Sequence, residues 1–151
     1  MSQQRWRLDG QLALVTGGSA GIGRAIAREL LGFGARVLIA ARDGNGLDAV
    51  RIELEEEFPD GEVRTCVADV ADDEQRRELL DWVEDIGDGL NILVNNAGGN
   101  LTKAAIDYSE DEWRGIFEVN LFSAFELARS TYPLLTKHAA SCIVNVGSVS
   151  A

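Results

Sequence analysis

The sequence predicts an α/β fold, a doubly wound parallel sheet with helices on both faces and strand order 3-2-1-4-5. Three observations predict it. Short apolar runs alternate with amphipathic stretches along the chain, as repeated strand–helix units require. The runs are nearly continuous rather than alternating, which suits strands covered on both faces. Residues with chemical uses recur at the carboxyl ends of those runs, where an open parallel sheet gathers its ligands. Right-handed crossovers then give the strand order.

The first strand is expected at Leu12–Val15, and the glycine-rich turn after it opens a helix from about Gly21 to Gly32. Val37–Ala40 forms the second strand. The helix after it carries Leu47, Val50, Leu54 and Phe58 on one face and stops before Pro59, because proline has no N–H to continue it. Val63–Val67 is the third strand. Leu79, Val83 and Ile86 then share a helix face, with Asp72 as N-cap and Gln75 three residues on. Ile92–Val94 and Ile143–Val146 are the fourth and fifth strands. Between them one long helix is expected from about Ser109 to His138, opened by a Ser109/Glu112 capping box and kinked or broken at Pro133. Its apolar residues, Trp113, Ile116, Phe117, Phe122, Phe125, Leu127 and Tyr132, occupy more than one side, so part of this surface is expected to meet another subunit.

The turn Thr16-Gly17-Gly18-Ser19-Ala20-Gly21-Ile22-Gly23 is the most informative stretch. Strand, glycine turn and helix place backbone N–H groups around a phosphate. Gly17 makes the tight turn, Gly21 lets a pyrophosphate approach the backbone, and Gly23 lets helix and strand pack closely. A Rossmann-type dinucleotide site is the expectation, against a merely structural turn.

The spacing Gly-x-x-x-Gly-x-Gly resembles the short-chain dehydrogenase/reductase family. Asn95-Asn96-Ala97-Gly98, Val119-Asn120-Leu121 and Gly147-Ser148-Val149-Ser150 resemble further motifs of that family, in its order. The likeness runs from about Leu8 to Ala151, and is greatest toward tropinone-reductase-type and related NADP-dependent ketoreductases. It implies a hydride transfer between a nicotinamide cofactor and a ketone or secondary alcohol. The cofactor-binding set it implies is Gly17, Ser19, Gly21, Ile22, Gly23, Arg42, Asp69, Val70, Asn96, Ala97 and Gly98.

The end of the second strand bears on cofactor choice. An acid there holds a ribose 2′-OH, whereas an arginine suits a 2′-phosphate. By resemblance Ala41 takes the position of the NAD-selecting acid and Arg42 that of the NADP-type base, so NADP is expected over NAD. Asp43 complicates this: it pairs with Arg42 or begins the next helix. The alternative for Arg42 is a solvated loop charge. The family's other frequent base would fall at Ala20 and is absent.

By the same resemblance Asp69 contacts an adenine amino group, with helix capping as its alternative. Asn95 to Gly98 steady the sheet and line the nicotinamide-ribose region. Asn95 has a mainly structural alternative, since asparagine at a strand end satisfies loose backbone groups. Asn120 interrupts an apolar helical stretch, where an unpartnered buried amide costs about 1–3 kcal/mol. The resemblance makes it a local helix break serving a proton relay, and makes Ser148 the serine that polarises the substrate carbonyl. The family's catalytic Tyr-x-x-x-Lys would lie beyond Ala151. Residues 1–151 therefore read as a dinucleotide-binding domain incomplete at its C-terminal end, truncated after the fifth strand and inactive alone. The alternative is a non-catalytic nucleotide-binding or subunit-interaction chain.

Composition narrows the remaining classes. The chain has 151 residues, enough for one domain with a real core, and 46% of them are hydrophobic. Its net charge is −11, from 25 acids and 14 bases, which argues against nucleic acid as a partner. The acids at Glu53–Glu57 and between Asp72 and Asp85 read as solvated helix faces. No apolar run approaches the ~20 residues that span a bilayer. The polar stretch from Met1 to Gly10, with Arg5, Trp6 and Arg7, has no signal-peptide core, so a cytoplasmic location is expected. Cys66 and Cys142 are expected as small buried strand residues, not a disulfide or a metal site. The expected partners are a small carbonyl or alcohol substrate and, in a full-length parent, a second copy of the chain.

Overall fold

A computed structural model describes residues 6–148. The strands are β1 (Leu12–Thr16), β2 (Arg36–Ala41), β3 (Val63–Val67), β4 (Ile92–Asn95) and β5 (Cys142–Asn145), and the helices are α1 (Gly21–Gly32), α2 (Gly44–Glu57), α3 (Asp73–Ile86), α4 (Glu110–Phe117) and α5 (Ser123–Leu135). All strands are parallel and lie in the order β3-β2-β1-β4-β5. Val15 stands opposite Ile39 on one side and Val94 on the other, and Val94 opposite Val144.

The apolar runs are continuous because both faces are packed. Successive side chains of a strand point to opposite faces. Ala13, Val15, Val37, Ile39 and Val94 pack with Ala27, Leu31, Leu47 and Leu54 of α1 and α2. Leu12, Leu14, Leu38 and Leu93 pack with Leu79 and Val83 of α3 and with Leu127 and Leu134 of α5. Leu14, Leu38, Ile39 and Leu93 are almost wholly buried. Burying each such side chain contributes ~1.5–3 kcal/mol.

The outer strands are uncovered, as a sheet cut after its fifth strand requires, and only the expected burial of the two cysteines fails. All four residues of β5 are exposed, including Ile143 and Val144, and Val67 of β3 is exposed too. Cys142 is accordingly exposed and Cys66 only half-buried. Burial, with a smaller contribution from Glu78, still pushes the Cys66 thiol pKa upward.

The caps agree with the sequence reading. Asp72 Oδ1 accepts from the N–H groups of Glu74 and Gln75, and Ser109 and Glu112 form a reciprocal capping box. Gln75 does not reach back to its own cap; its Oε1 accepts the Asp69 N–H at 2.9 Å. Two of the acids assigned to a solvated face bind across helices, Glu53 to Arg24 and Glu57 to Arg28.

The long helix breaks at Asn120, as the resemblance implies, and not at Pro133. A π turn at Glu118–Phe122 separates α4 from α5. Pro133 lies inside α5, which ends two residues later at Leu135, so His138 is outside it. Pro133 forgoes the bond its N–H would make to the preceding turn, but only two residues of α5 follow it, so little helix remains beyond it to disrupt, whereas an insertion mid-helix must be accommodated where it falls. Of the apolar residues on this stretch, Leu127 is in the core, while Trp113, Phe117, Phe122, Phe125 and Tyr132 are exposed. Among the described residues no helix is long and apolar enough to cross a membrane.

Candidate functional site

The carboxyl ends of β1 and β4 are laced together by side chains. Thr16 Oγ1 donates to the Val94 carbonyl at 3.3 Å and accepts the N–H groups of Asn96 and Ala97, each at 3.1 Å. Asn96 Nδ2 donates to the carbonyls of Thr16 at 3.0 Å and Gly17 at 3.1 Å. The Gly17 N–H bonds the Ala40 carbonyl of β2 at 2.7 Å. The glycine turn is thus held against both neighbouring strands.

That closeness is what the glycines permit. Gly17 has φ +66° and a Cβ there would lie 2.8 Å from Ala97 Cα. A Cβ on Gly23 would overlap Asn96 Nδ2 and the Gly17 carbonyl. Gly21, with φ +55°, faces open space instead. It begins α1, whose N-cap Ala20 makes no side-chain bond and whose first turn carries no acid. The first N–H groups of α1 are therefore without a side-chain cap, a setting that favours an anion.

A cleft of ≈ 290 Å³ lies beside this turn, and Gly17, Ser19, Arg42, Asp69, Val70, Ala97 and Gly98 line it with Val119. A second hollow of ≈ 360 Å³ is lined by Ile22, Asn96, Gly98, Asn120, Gly147 and Ser148. Gly98 borders both, so the two hollows adjoin at the carboxyl edge of the sheet. Gly21 and Gly23 line neither. Gly23 is buried beneath the turn.

Asp69 is fixed by its own loop. Its Oδ1 accepts the Ala71 N–H at 2.9 Å and its Oδ2 lies 3.8 Å from Arg42 Nη1. The helix cap is Asp72, not Asp69. Asp43 sits at the N-cap position of α2 without a side-chain cap bond, and the acid beside Arg42 is Asp69. The Arg42 side chain is 72% exposed, so this pair is worth little and leaves the guanidinium free to turn.

Asn120 lies in the π turn. Its carboxamide pairs with the Gly99 backbone in both directions, Nδ2 to O at 2.7 Å and N to Oδ1 at 3.1 Å, and Nδ2 also reaches the Ile116 carbonyl at 2.9 Å. Both polar atoms of the half-buried amide are thus in use. Asn95 lines neither hollow, and its Nδ2 donates to Asn145 Oδ1 at 2.9 Å and the Ala124 carbonyl at 3.3 Å. Ser148 is exposed in the second hollow, while Ser150 lies outside the described residues.

Chemically, the turn and the start of α1 offer donors to a diphosphate, Arg42 offers a cation for a further anionic group, and Ser148 offers a hydroxyl to a carbonyl. Sequence patterning does not single out the roles of Thr16 and Arg76. The only trace of Thr16 is a hydroxyl residue closing an apolar run. Arg76 has as local signal only Asp73 one turn earlier on α3; its other partners, Val70 and Glu118, come from other segments.

A family model described as short chain dehydrogenase matches residues 11–151. A tropinone reductase homolog of Arabidopsis thaliana is 42% identical over 150 residues, covering 98% of this chain and 55% of that protein. The Pseudomonas aeruginosa RhlG/NADP complex superposes with a TM-score of 0.88 at 35% identity, over 96% of this chain and 57% of that one. L-sorbose reductase from Gluconobacter frateurii, complexed with NADPH and L-sorbose, gives a TM-score of 0.90 at 29% identity, over 95% and 54%. The chain spans about half the length of the relatives it matches.

Proposed function

Because the chain belongs to the short-chain dehydrogenase family, we propose that it forms the cofactor-binding half of an NADP-dependent oxidoreductase acting on a ketone or secondary alcohol. The observation that carries this reading is a pair of adjoining hollows sharing Gly98, one lined by the glycine turn and Arg42 and the other by Asn120 and Ser148. The missing Cβ of Gly17 lets the turn lie against Ala97, and that of Gly21 leaves open space at the start of α1 for a diphosphate. NADP complexes among the similar structures support the choice of cofactor.

In this reading the Gly17–Gly23 turn and the start of α1 hold the diphosphate. Asp69 and Val70 border the adenine, and Arg42 leaves its weak pair with Asp69 for the 2′-phosphate. Asn96, Ala97 and Gly98 form the floor toward the nicotinamide. The bound cofactor supplies the hydride chemistry. Ser148 donates its hydroxyl hydrogen to the substrate oxygen, and Asn120 holds the Gly99 backbone beside it. Neither Tyr108, whose hydroxyl donates to the Leu101 carbonyl, nor Tyr132 lines the hollow that holds Ser148. The 151 residues alone therefore bind cofactor without turning it over. A second copy of the chain against the exposed α4–α5 surface belongs to the same reading.

Titration with NADPH and NADH tests it. NADPH should bind more tightly. Arg42→Ala should weaken NADPH by about 1–3 kcal/mol, the worth of a charge-assisted contact, and leave NADH nearly unchanged. Equal losses for both would remove Arg42 from the 2′-phosphate role, and no binding of either would overturn the whole reading.

A further inference from the structure

Arg76 of α3 is the one charged residue among the described residues that is buried, with its side chain 7% exposed. Its guanidinium donates to the Val70 carbonyl and to Asp73 Oδ1, and lies 3.4 Å from Glu118 Oε1. Val70 follows Asp69 in the β3–α3 loop and lines the ≈ 290 Å³ cleft. Glu118 opens the π turn, and the next residue, Val119, lines the same cleft. One side chain thus ties together the two segments that carry these lining residues.

Stability alone does not account for it. Burying a permanent charge costs several kcal/mol, and apolar side chains of similar volume commonly serve as well or better in such places. What an apolar residue lacks is a rigid fork with donors in several directions. An ammonium, a point charge on a flexible stem, does not reproduce the fork either.

We propose that Arg76 is a positioning residue for the adenosine end of the site, setting the spacing between Val70 and Val119 by holding the Val70 carbonyl and the Glu118 carboxylate together. The proposal rests on the cofactor reading above. It touches neither the diphosphate turn nor Ser148, so its effect is confined to ligands that carry an adenosine.

The experiment compares wild type, Arg76→Lys and Arg76→Met with three probes: NADPH, adenosine 2′,5′-bisphosphate and reduced nicotinamide mononucleotide. Both variants should bind the first two about tenfold more weakly, as expected for losing one hydrogen bond to a charged group. Binding of the mononucleotide should stay within about twofold, since it makes none of the adenosine contacts. Equal weakening of all three probes would mean general loosening and would overturn the proposal, as would unchanged adenosine binding. If neither Arg76 variant folds, Glu118→Ala, at a side chain 36% exposed, replaces them. It must weaken the adenosine probes alone, and unchanged binding overturns the proposal. Wild-type protein that binds no probe overturns the cofactor reading and this proposal with it. Wild-type binding with indifferent variants overturns this proposal alone.

Discussion

Substituting alanine at Gly23 and at Gly21 separates packing from ligand approach within one turn. At Gly23 the new Cβ would overlap the Gly17 carbonyl and Asn96 Nδ2. Relief needs both the Asn96 side chain and the Gly17 peptide to shift. The Asn96 side-chain bonds to Thr16 O at 3.0 Å and Gly17 O at 3.1 Å are then at risk. Overpacking of this kind costs about 1–3 kcal/mol, and a lost hydrogen bond about 1 kcal/mol. Alanine in a helix recovers up to about 1 kcal/mol over glycine. The net is about 2 kcal/mol, a large fraction of a typical stability. With a urea slope of about 1–3 kcal/mol per molar, the midpoint should fall by about 1 M. At Gly21 nothing lies within 4 Å of where the alanine methyl would stand, and only the φ of +55° opposes the substitution. The left-handed conformation costs about 1–2 kcal/mol, partly offset by a stiffer unfolded chain. Gly21→Ala should therefore remain more stable than Gly23→Ala yet lose more NADPH affinity, because its methyl group occupies the space through which the diphosphate would approach. Urea denaturation and cofactor titration on both variants check this. Gly23→Ala unfolding at the wild-type midpoint, or the reverse order of stabilities, would refute the packing argument.

Two further expectations follow from exposed features. The Glu112 carboxyl is held down to about 2, chiefly by the Lys103 ammonium and then by the Ser109 backbone N–H. Because the folded pKa is depressed, this strap is whole above the ordinary value of 4.5 and is lost as pH falls through about 2. Lys103→Met should move the titration of Glu112 up toward 4.5, read from its carboxyl carbon by NMR, and a wild-type titration already at 4.5 would remove the strap. The chain expressed alone should self-associate through Phe122, Phe125 and Tyr132 on α5 and its approach, and through Ile143 and Val144 on β5. Each side chain covered gains up to about 1.5–3 kcal/mol. Phe125→Glu should lower the associated fraction in light scattering, and a wild-type chain that scatters as a monomer refutes the expectation.

Strand positions, crossover order and helix caps were legible because each depends on a few neighbouring residues. Continuous apolar runs mean cover on both faces, and Ser109 with Glu112 closes its box within one turn. The same runs misled at the sheet margins. Cys66 and Cys142 read like buried strand residues, but exposure depends on which helices reach the outer strands, and local sequence does not state that. Pro133 drew the expected break because proline is a local signal. The break at Asn120 was expected through the resemblance alone, because the π turn there is braced by Asn120 against Gly99, 21 positions away. Arg76 was illegible for the same reason. Its burial depends on Val70 and Glu118 arriving from two other segments.

The strand order carries a consequence for the chain as it leaves the ribosome. β1 is made before the other described strands and lies at the middle of the sheet, between β2 and β4. β2 and β3 follow promptly and build one wing. The other edge of β1, with Leu14 and Val15, waits for Leu93 and Val94, its partners some eighty residues later in synthesis. Through that interval the nascent chain presents an unpaired apolar strand edge, the surface on which edge-to-edge aggregation begins. Chaperone capture of stalled chains should therefore peak for lengths that include β3 but not β4, and fall once β4 has emerged.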